Sequence, residues 1–268
     1  MMRKLFVLLV LIIFSVSLVM AQDDVATGTL EFRANGEDFV REGFVSKDGW
    51  TINFDHVWVS LSNVRAHQTN PPYDPFAGEL TRSVQMVGLS GQLVVDLAEG
   101  DADADTILIG TVEDAPEGFY NAVAWMMTPA DEGEIEGYSV VIDGTAEKDG
   151  ETIDFTMRIE ENFTYTCGAF VGDERKGVLP ADATGDVELT FHFDHIFGDA
   201  ETPLEDSLNA EAPGFDMFAS LATDGVVDVS LSDLEMSLSE EDYLTFINVL
   251  PSLGHTGEGH CFEKALEE

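Results

Sequence analysis

Apolar and polar side chains alternate over much of this chain, the period of two that marks strands with one buried and one solvated face. On that pattern strands are expected over residues 28–33, 50–61, 92–97, 120–127, 138–145, 152–160, 186–195 and 226–229. Between them lie turn formers, among them Ser46-Lys47-Asp48-Gly49, Glu147-Lys148-Asp149-Gly150 and the proline-rich run Asn70-Pro71-Pro72-Tyr73-Asp74-Pro75. The second of these separates two alternating runs and predicts a hairpin, because Asp-Gly tolerates the positive φ of a tight loop. Strands and turns at this spacing predict a mainly β fold, an antiparallel β-sandwich rather than a parallel α/β sheet.

After Gly198 the pattern changes. Residues 199–209 are acidic and contain Pro203, which reads as a surface loop, and 215–222 reads as a short helix. A longer helix is expected over 240–250. Ser239 is placed to cap it, Glu240, Glu241 and Asp242 complement its positive end, and Tyr243, Phe246, Ile247 and Leu250 share one face before Pro251 and Gly254 stop it. The organisation expected is a β-sandwich domain over 22–198. Over 199–268 an acidic loop, short helices and a C-terminal tail form a small helical cover on it.

Residues 1–21 read as a secretory signal. Met1-Met2-Arg3-Lys4 precedes an apolar run from Leu5 to Met20 that closes on Val19-Met20-Ala21, with cleavage expected after Ala21. The expectation is an exported protein, periplasmic or extracellular, with no membrane insertion once the signal is gone. Cleavage removes Arg3 and Lys4 but no acid, so the exported chain is more acidic than the formal −40 set by 52 Asp plus Glu against 12 Lys plus Arg. A chain of that sign repels phosphate backbones and anionic lipid, which excludes nucleic acid as a partner, and it gathers cations.

The two cysteines, Cys167 and Cys261, are expected to pair as a disulfide in an exported chain. The bridge would tie the glycine-rich tail Gly254-His255-Thr256-Gly257-Glu258-Gly259-His260-Cys261 back to the body near Tyr165. The competing use is a thiolate metal site, Cys261 beside His260.

Among six histidines, two occur in matched settings, Phe54-Asp55-His56-Val57 and Phe193-Asp194-His195-Ile196. On regular strands Ile52, Phe54, His56 and Trp58 line one face, and Val187, Leu189, Phe191, Phe193 and His195 line another. If those faces pack together, two neutral imidazoles meet in a setting suited to copper, zinc or iron. The plainer use is as two core or rim histidines. His192 and Asp194 lie beside His195 in the densest ligand cluster of the chain, yet on a regular strand His192 and His195 point to opposite faces. Both reach one ion only if the strand ends or bulges near Asp194.

Other motifs carry less. Asp101, Asp103 and Asp105 begin like a calcium loop, but Thr106 stands where such a loop needs glycine. Nucleophile elbow, His-Glu-x-x-His helix and phosphate loop are missing from the sequence, so no enzymatic activity is expected.

Four segments give a resemblance: Trp50 through His56 and Trp58 to Val64, Glu117-Gly118-Phe119-Tyr120-Asn121-Ala122-Val123, Gly137-Tyr138 leading to Gly144-Thr145, and Val187 to Phe197. Across roughly half the chain they resemble the MbnP-like, methanobactin-associated periplasmic copper-binding proteins. The resemblance implies copper held by two histidines from different strands and an oxidised tryptophan two residues from one of them. Carried over, it picks His56, Trp58 and His195, here in the order His-x-Trp.

The functional expectation is an exported protein that sequesters or delivers a transition-metal ion, copper ahead of zinc or iron. His56 and His195 would bind it, with His192, Asp194 or a tail histidine such as His260 completing the site. The alternative is a structural or adhesive extracytoplasmic β-sandwich module without metal.

Overall fold

The computed structural model of the chain describes residues 25–80 and 82–265. The export signal expected over 1–21 lies outside the described residues. Among the described residues no helix is long and apolar enough to cross a membrane.

The fold is mainly β. Its longer strands are β1 (Thr27–Asn35), β2 (Thr51–Gln68), β3 (Gln85–Gly88), β4 (Gln92–Asp96), β5 (Ile107–Pro116), β6 (Ala122–Met127), β7 (Val140–Lys148), β8 (Glu151–Ile159), β9 (Phe163–Cys167), β10 (Thr184–Phe191), β11 (Val226–Ser230) and β12 (Cys261–Ala265). A four-stranded sheet runs from the short segment Gly254–His255 through β10 and β1 to β5. A ten-stranded sheet runs β11, β8, β7, β2, β6, β9, β12, with β3, β4 and Phe44–Val45 also paired to the long β2.

One core joins the two sheets. Leu30, Phe32, Leu189 and Phe191 of the smaller sheet are buried in the same cluster as Val57, Val59, Trp125, Ile142 and Phe155 of the larger. Trp125 and Phe191 meet edge-on across it, ring centroids 6.0 Å apart. Each such side chain contributes roughly 1.5–3 kcal/mol by leaving water, which is why the alternating pattern fixes the faces of these strands.

The hairpin expected at Lys148-Asp149-Gly150 joins β7 to β8. Lys148 pairs with Glu151, and both loop residues take positive φ, 53° at Asp149 and 86° at Gly150. The helix expected after Ser239 is also present. The helices are α1 (Glu37–Glu42), α2 (Asp194–Phe197), α3 (Ser207–Glu211), α4 (Asp216–Ala219), α5 (Leu231–Ser237) and α6 (Glu240–Val249), the last continuing into a tight turn over Leu250–Leu253. Phe246, Val249, Leu250 and Leu253 seal one side of the common core. The C-terminal third is more than a cover, since β11 and β12 are strands of the large sheet.

Three expectations are corrected. The sheets are mixed rather than purely antiparallel: β1 runs parallel to β10 and β8 parallel to β11. Alternation reports which face is buried and is silent on strand direction, and both parallel pairs join segments far apart in sequence. The strand expected over 186–195 stops at Phe191, and His195 lies in α2. The face expected to hold Ile52, Phe54, His56 and Trp58 is broken by a bulge in β2. Phe54 lies opposite Gly144 and His56 opposite Asp143, so Asp55 is the extra residue. Beyond it Val57, Val59 and Leu61 take the core face, while His56 and Trp58 take the outer one. Gly144 permits this approach, because a Cβ there would stand 2.2 Å from the carbonyl oxygen of Asn53.

Candidate metal centre

β10 carries the chain into a cleft. Its last two residues pair with the tail, Thr190 with His255 and Phe191 with Gly254. Phe193 then takes helical angles, φ −80° and ψ −14°, and the Ile196 N–H donates to Phe193 O at 3.0 Å. A continuing strand would send His192 and His195 apart; one helical turn brings residues three apart onto the same side. Their ring centroids lie 5.5 Å from one another. One ligand atom each from His192, Asp194 and His195 fall within 4.8 Å of one another.

The tail adds a third imidazole. The His255 ring lies 4.4 Å from that of His192 and 5.2 Å from that of His195. Gly254 allows this, since a Cβ there would be 2.7 Å from the Tyr165 ring and 2.8 Å from that of Trp125. The disulfide Cys167–Cys261 closes the other end of the tail, at directly opposed positions of β9 and β12. His260 stands at the rim, 6.3 Å from His255 and 5.3 Å from the exposed ring of Phe76. The cleft has a volume of about 450 Å³, and Glu211, Glu258, Cys261 and Glu263 share its lining with the histidines.

Hydrogen bonds fix the ring tautomers. His255 Nε2 lies 2.9 Å from Ser252 O, a carbonyl that only accepts, so Nε2 carries the proton. Its Nδ1 is buried and has no hydrogen-bond partner. His195 Nδ1 lies 2.8 Å from Ser252 Oγ, whose own proton goes to Val249 O at 2.7 Å. Nδ1 therefore donates and Nε2 keeps its lone pair. That polarity is the reverse of a serine activated by a histidine base. His192 Nε2 faces Gly257 O at 3.3 Å, leaving Nδ1 toward Glu37 Oε2 at 3.4 Å and Asp194 Oδ1 at 4.0 Å. The Asp194 Oδ1 atom is itself buried without a hydrogen-bond partner.

Electrostatics favours the neutral form of His255 and His195. Burial pushes the His255 pKa down to about 3, with the His192 and His195 rings adding to the effect. Burial also holds His195 below the ordinary imidazole value, although Asp194 pulls the other way. Neutral imidazole is the form that ligates a metal. Glu37 is raised to about 7 by burial, opposed by His192 and reinforced by Asp194. Its backbone has φ 60°, whereas every other non-glycine residue at positive φ among the described residues is Asn or Asp. A glutamate held in that sparsely populated region beside His192 stores strain at the site. Glu263, also raised to about 7 by burial, lines the same cleft.

His56 and Trp58 are not part of this cluster. They sit on the outer face of β2, rings stacked 5.4 Å apart, with His56 Nδ1 bonded to Asp96 Oδ2 at 2.7 Å. That bond, with burial opposing it, raises the His56 pKa. The partners of His195 are thus His192, Asp194 and His255, and the pairing of His56 with His195 does not form. His67 is buried, which lowers its pKa. Two residues of the site escape a reading by alternation. His255 was discoverable only as part of the tail that the disulfide returns to the body, and Glu37 carries no local signal at all.

Two imidazoles and a buried carboxylate, His192, His195 and Asp194, form a borderline nitrogen and oxygen donor set, with the His255 ring and the Glu37 carboxylate beside it. It suits copper, zinc or iron rather than the all-oxygen coordination of calcium or magnesium. No family model, no curated protein and no solved structure matches the chain.

Proposed function

We propose that this is an exported protein that sequesters or delivers a transition-metal ion, copper ahead of zinc or iron. His192, His195 and His255 are its imidazole ligands, Asp194 its carboxylate ligand, and His260 a rim residue on the path of the ion. One observation carries the reading. His195 and His255 each tie one N–H to a Ser252 oxygen, Oγ and O respectively, and leave the other ring nitrogen as a lone pair, while His192, whose Nε2 faces Gly257 O, packs against both rings. Outer oxygens orient metal-ligating histidines in this way, whereas a histidine that only packs has no need to face two others. The acidic surface supports the reading by concentrating cations near the cleft. The resemblance to MbnP-like copper-binding proteins supports metal handling, with the ligands drawn from the β10 turn and the tail instead of from β2.

The test is competitive titration of Cu²⁺ and Zn²⁺ against a chelator, using the mature protein with its disulfide intact. His195→Ala and His255→Ala are each expected to weaken binding by about tenfold or more, a loss of about 1.4 kcal/mol or more. His56→Ala should leave it unchanged. Equal affinities for the wild type and a His195→Ala/His255→Ala double variant would favour the structural module instead.

A further inference from the structure

The disulfide lies in the wall of the metal cleft as well as at the base of the tail. Cys261 lines the cleft beside His260 and His255, whereas Cys167 is fully buried behind it. The two residues are direct cross-strand partners, with Cα atoms 3.9 Å apart. The β9–β12 ladder holds them from Phe163–Ala265 to Cys167–Cys261, and the tail is pinned again where Thr190 and Phe191 pair with His255 and Gly254. Opening the S–S bond therefore leaves the backbone hydrogen bonds that place His255 and Cys261. It converts one wall of the cleft from an inert cystine sulfur into a thiol in the lining that also carries His255 and His260.

The geometry points to a second, reduced mode of this site, in which Cys261 is a thiolate ligand and the cleft takes a soft monovalent ion, Cu⁺. The inference rests on the reading of the cleft as a metal centre and adds that its ligand set is under redox control. The chemistry is thiol–disulfide exchange with a dithiol reductant. One of its thiolates attacks Cys261 Sγ, the accessible sulfur, and Cys167 leaves as the thiolate and takes up a proton. The second dithiol sulfur then resolves the mixed disulfide, releasing Cys261 and closing the reductant into its own disulfide. Two electrons and two protons pass to the protein. Cu⁺ then displaces the Cys261 proton and bonds to the sulfur, with His260 and His255 as imidazole partners. Thiolate prefers Cu⁺, whereas the oxidised cleft offers only nitrogen and oxygen donors.

The experiment measures Cu⁺ affinity anaerobically by competition with bicinchoninate, on the oxidised protein, the reduced protein, Cys167→Ser and Cys261→Ser. Near-UV circular dichroism of each sample reports its fold. The expected result is binding at least about tenfold tighter in the reduced protein than in the oxidised one. Cys167→Ser, which frees the Cys261 thiol without reductant, should match the reduced wild type, and Cys261→Ser should match the oxidised one. Equal Cu⁺ affinity in all four samples overturns the proposal, and so does loss of the native near-UV spectrum on reduction at neutral pH. Zn²⁺ binding by the oxidised protein, measured in parallel, tests the histidine centre alone. Its absence alongside a Cys261-dependent gain in Cu⁺ binding would reject the histidine reading and keep the thiolate one.

Discussion

His255 shows what a single residue does here. It is out of alternation with any strand of the body, and only Gly254, pressed against Tyr165 and Trp125, lets it reach the other imidazoles. Its depressed pKa gives a signed consequence for the metal-free protein. The folded state excludes a proton that the unfolded chain accepts near pH 6.5. The associated stability is therefore complete above about 6.5 and is lost as pH falls toward about 3. Glu37 and Glu263 act with the opposite sign, since their raised values favour the folded state as pH falls from about 7 toward 4.5. Comparison of wild type with His255→Gln isolates the histidine. In urea unfolding of the metal-free proteins, the stability of wild type relative to the variant should fall on acidification from pH 6 to pH 4. The limiting slope is about 1.4 kcal/mol per pH unit. A difference that does not change with pH would mean that the ring is protonated in the fold and free to repel a cation.

At the scale of elements, the legible parts were those governed by local rules. The β7–β8 hairpin follows from Asp149-Gly150 and α6 from its cap and its apolar stripe. Ser239 Oγ accepts from the Asp242 N–H at 3.1 Å and donates to the Asp242 carboxylate at 2.7 Å. Ser239→Ala should lower stability by about 1 kcal/mol in urea unfolding with an unchanged m-value, the usual cost of losing such a cap. Metal affinity should hold, because Ser252 is set by the turn at the far end of α6; a cost near zero would mean that the helix end is frayed in solution. The illegible parts depended on departures from regularity. A bulge at Asp55 turned His56 outward, and the end of β10 at Phe191 turned His195 toward His192. Strands β3, β5, β9 and β12 went unread, β5 and β12 for a related reason. Gly110, Glu113 and Asp114 interrupt the pattern of β5, and β12 is a short edge strand fixed by its cystine. Three of the four proposed ligands, His192, Asp194 and His195, were visible as a cluster in sequence. A tail histidine was expected as well, with His260 named; that His255 is the one beside them was not legible, because the tail's address is set by pairing with β9 and β10.

At the scale of the whole molecule, the two sheets, the helical seal and the disulfide converge on one cleft. The cystine links residues 94 apart in sequence, a loop whose closure is worth about 4 to 5 kcal/mol in the chain-entropy model. That closure holds the tail over the end of β10, where a chain with 52 acidic side chains draws cations to its surface without selecting among them. On the function proposed, selection falls to the imidazoles of the cleft. The most direct measurement is X-ray absorption at the copper edge on the oxidised protein loaded with one equivalent of Cu²⁺, which counts imidazole ligands by their outer-ring scattering. The account predicts three imidazoles, from His192, His195 and His255, with a carboxylate oxygen completing the sphere, and a fall to two in His255→Ala. A first shell of oxygen alone, unchanged in that variant, would contradict it and assign the ion to the acidic surface.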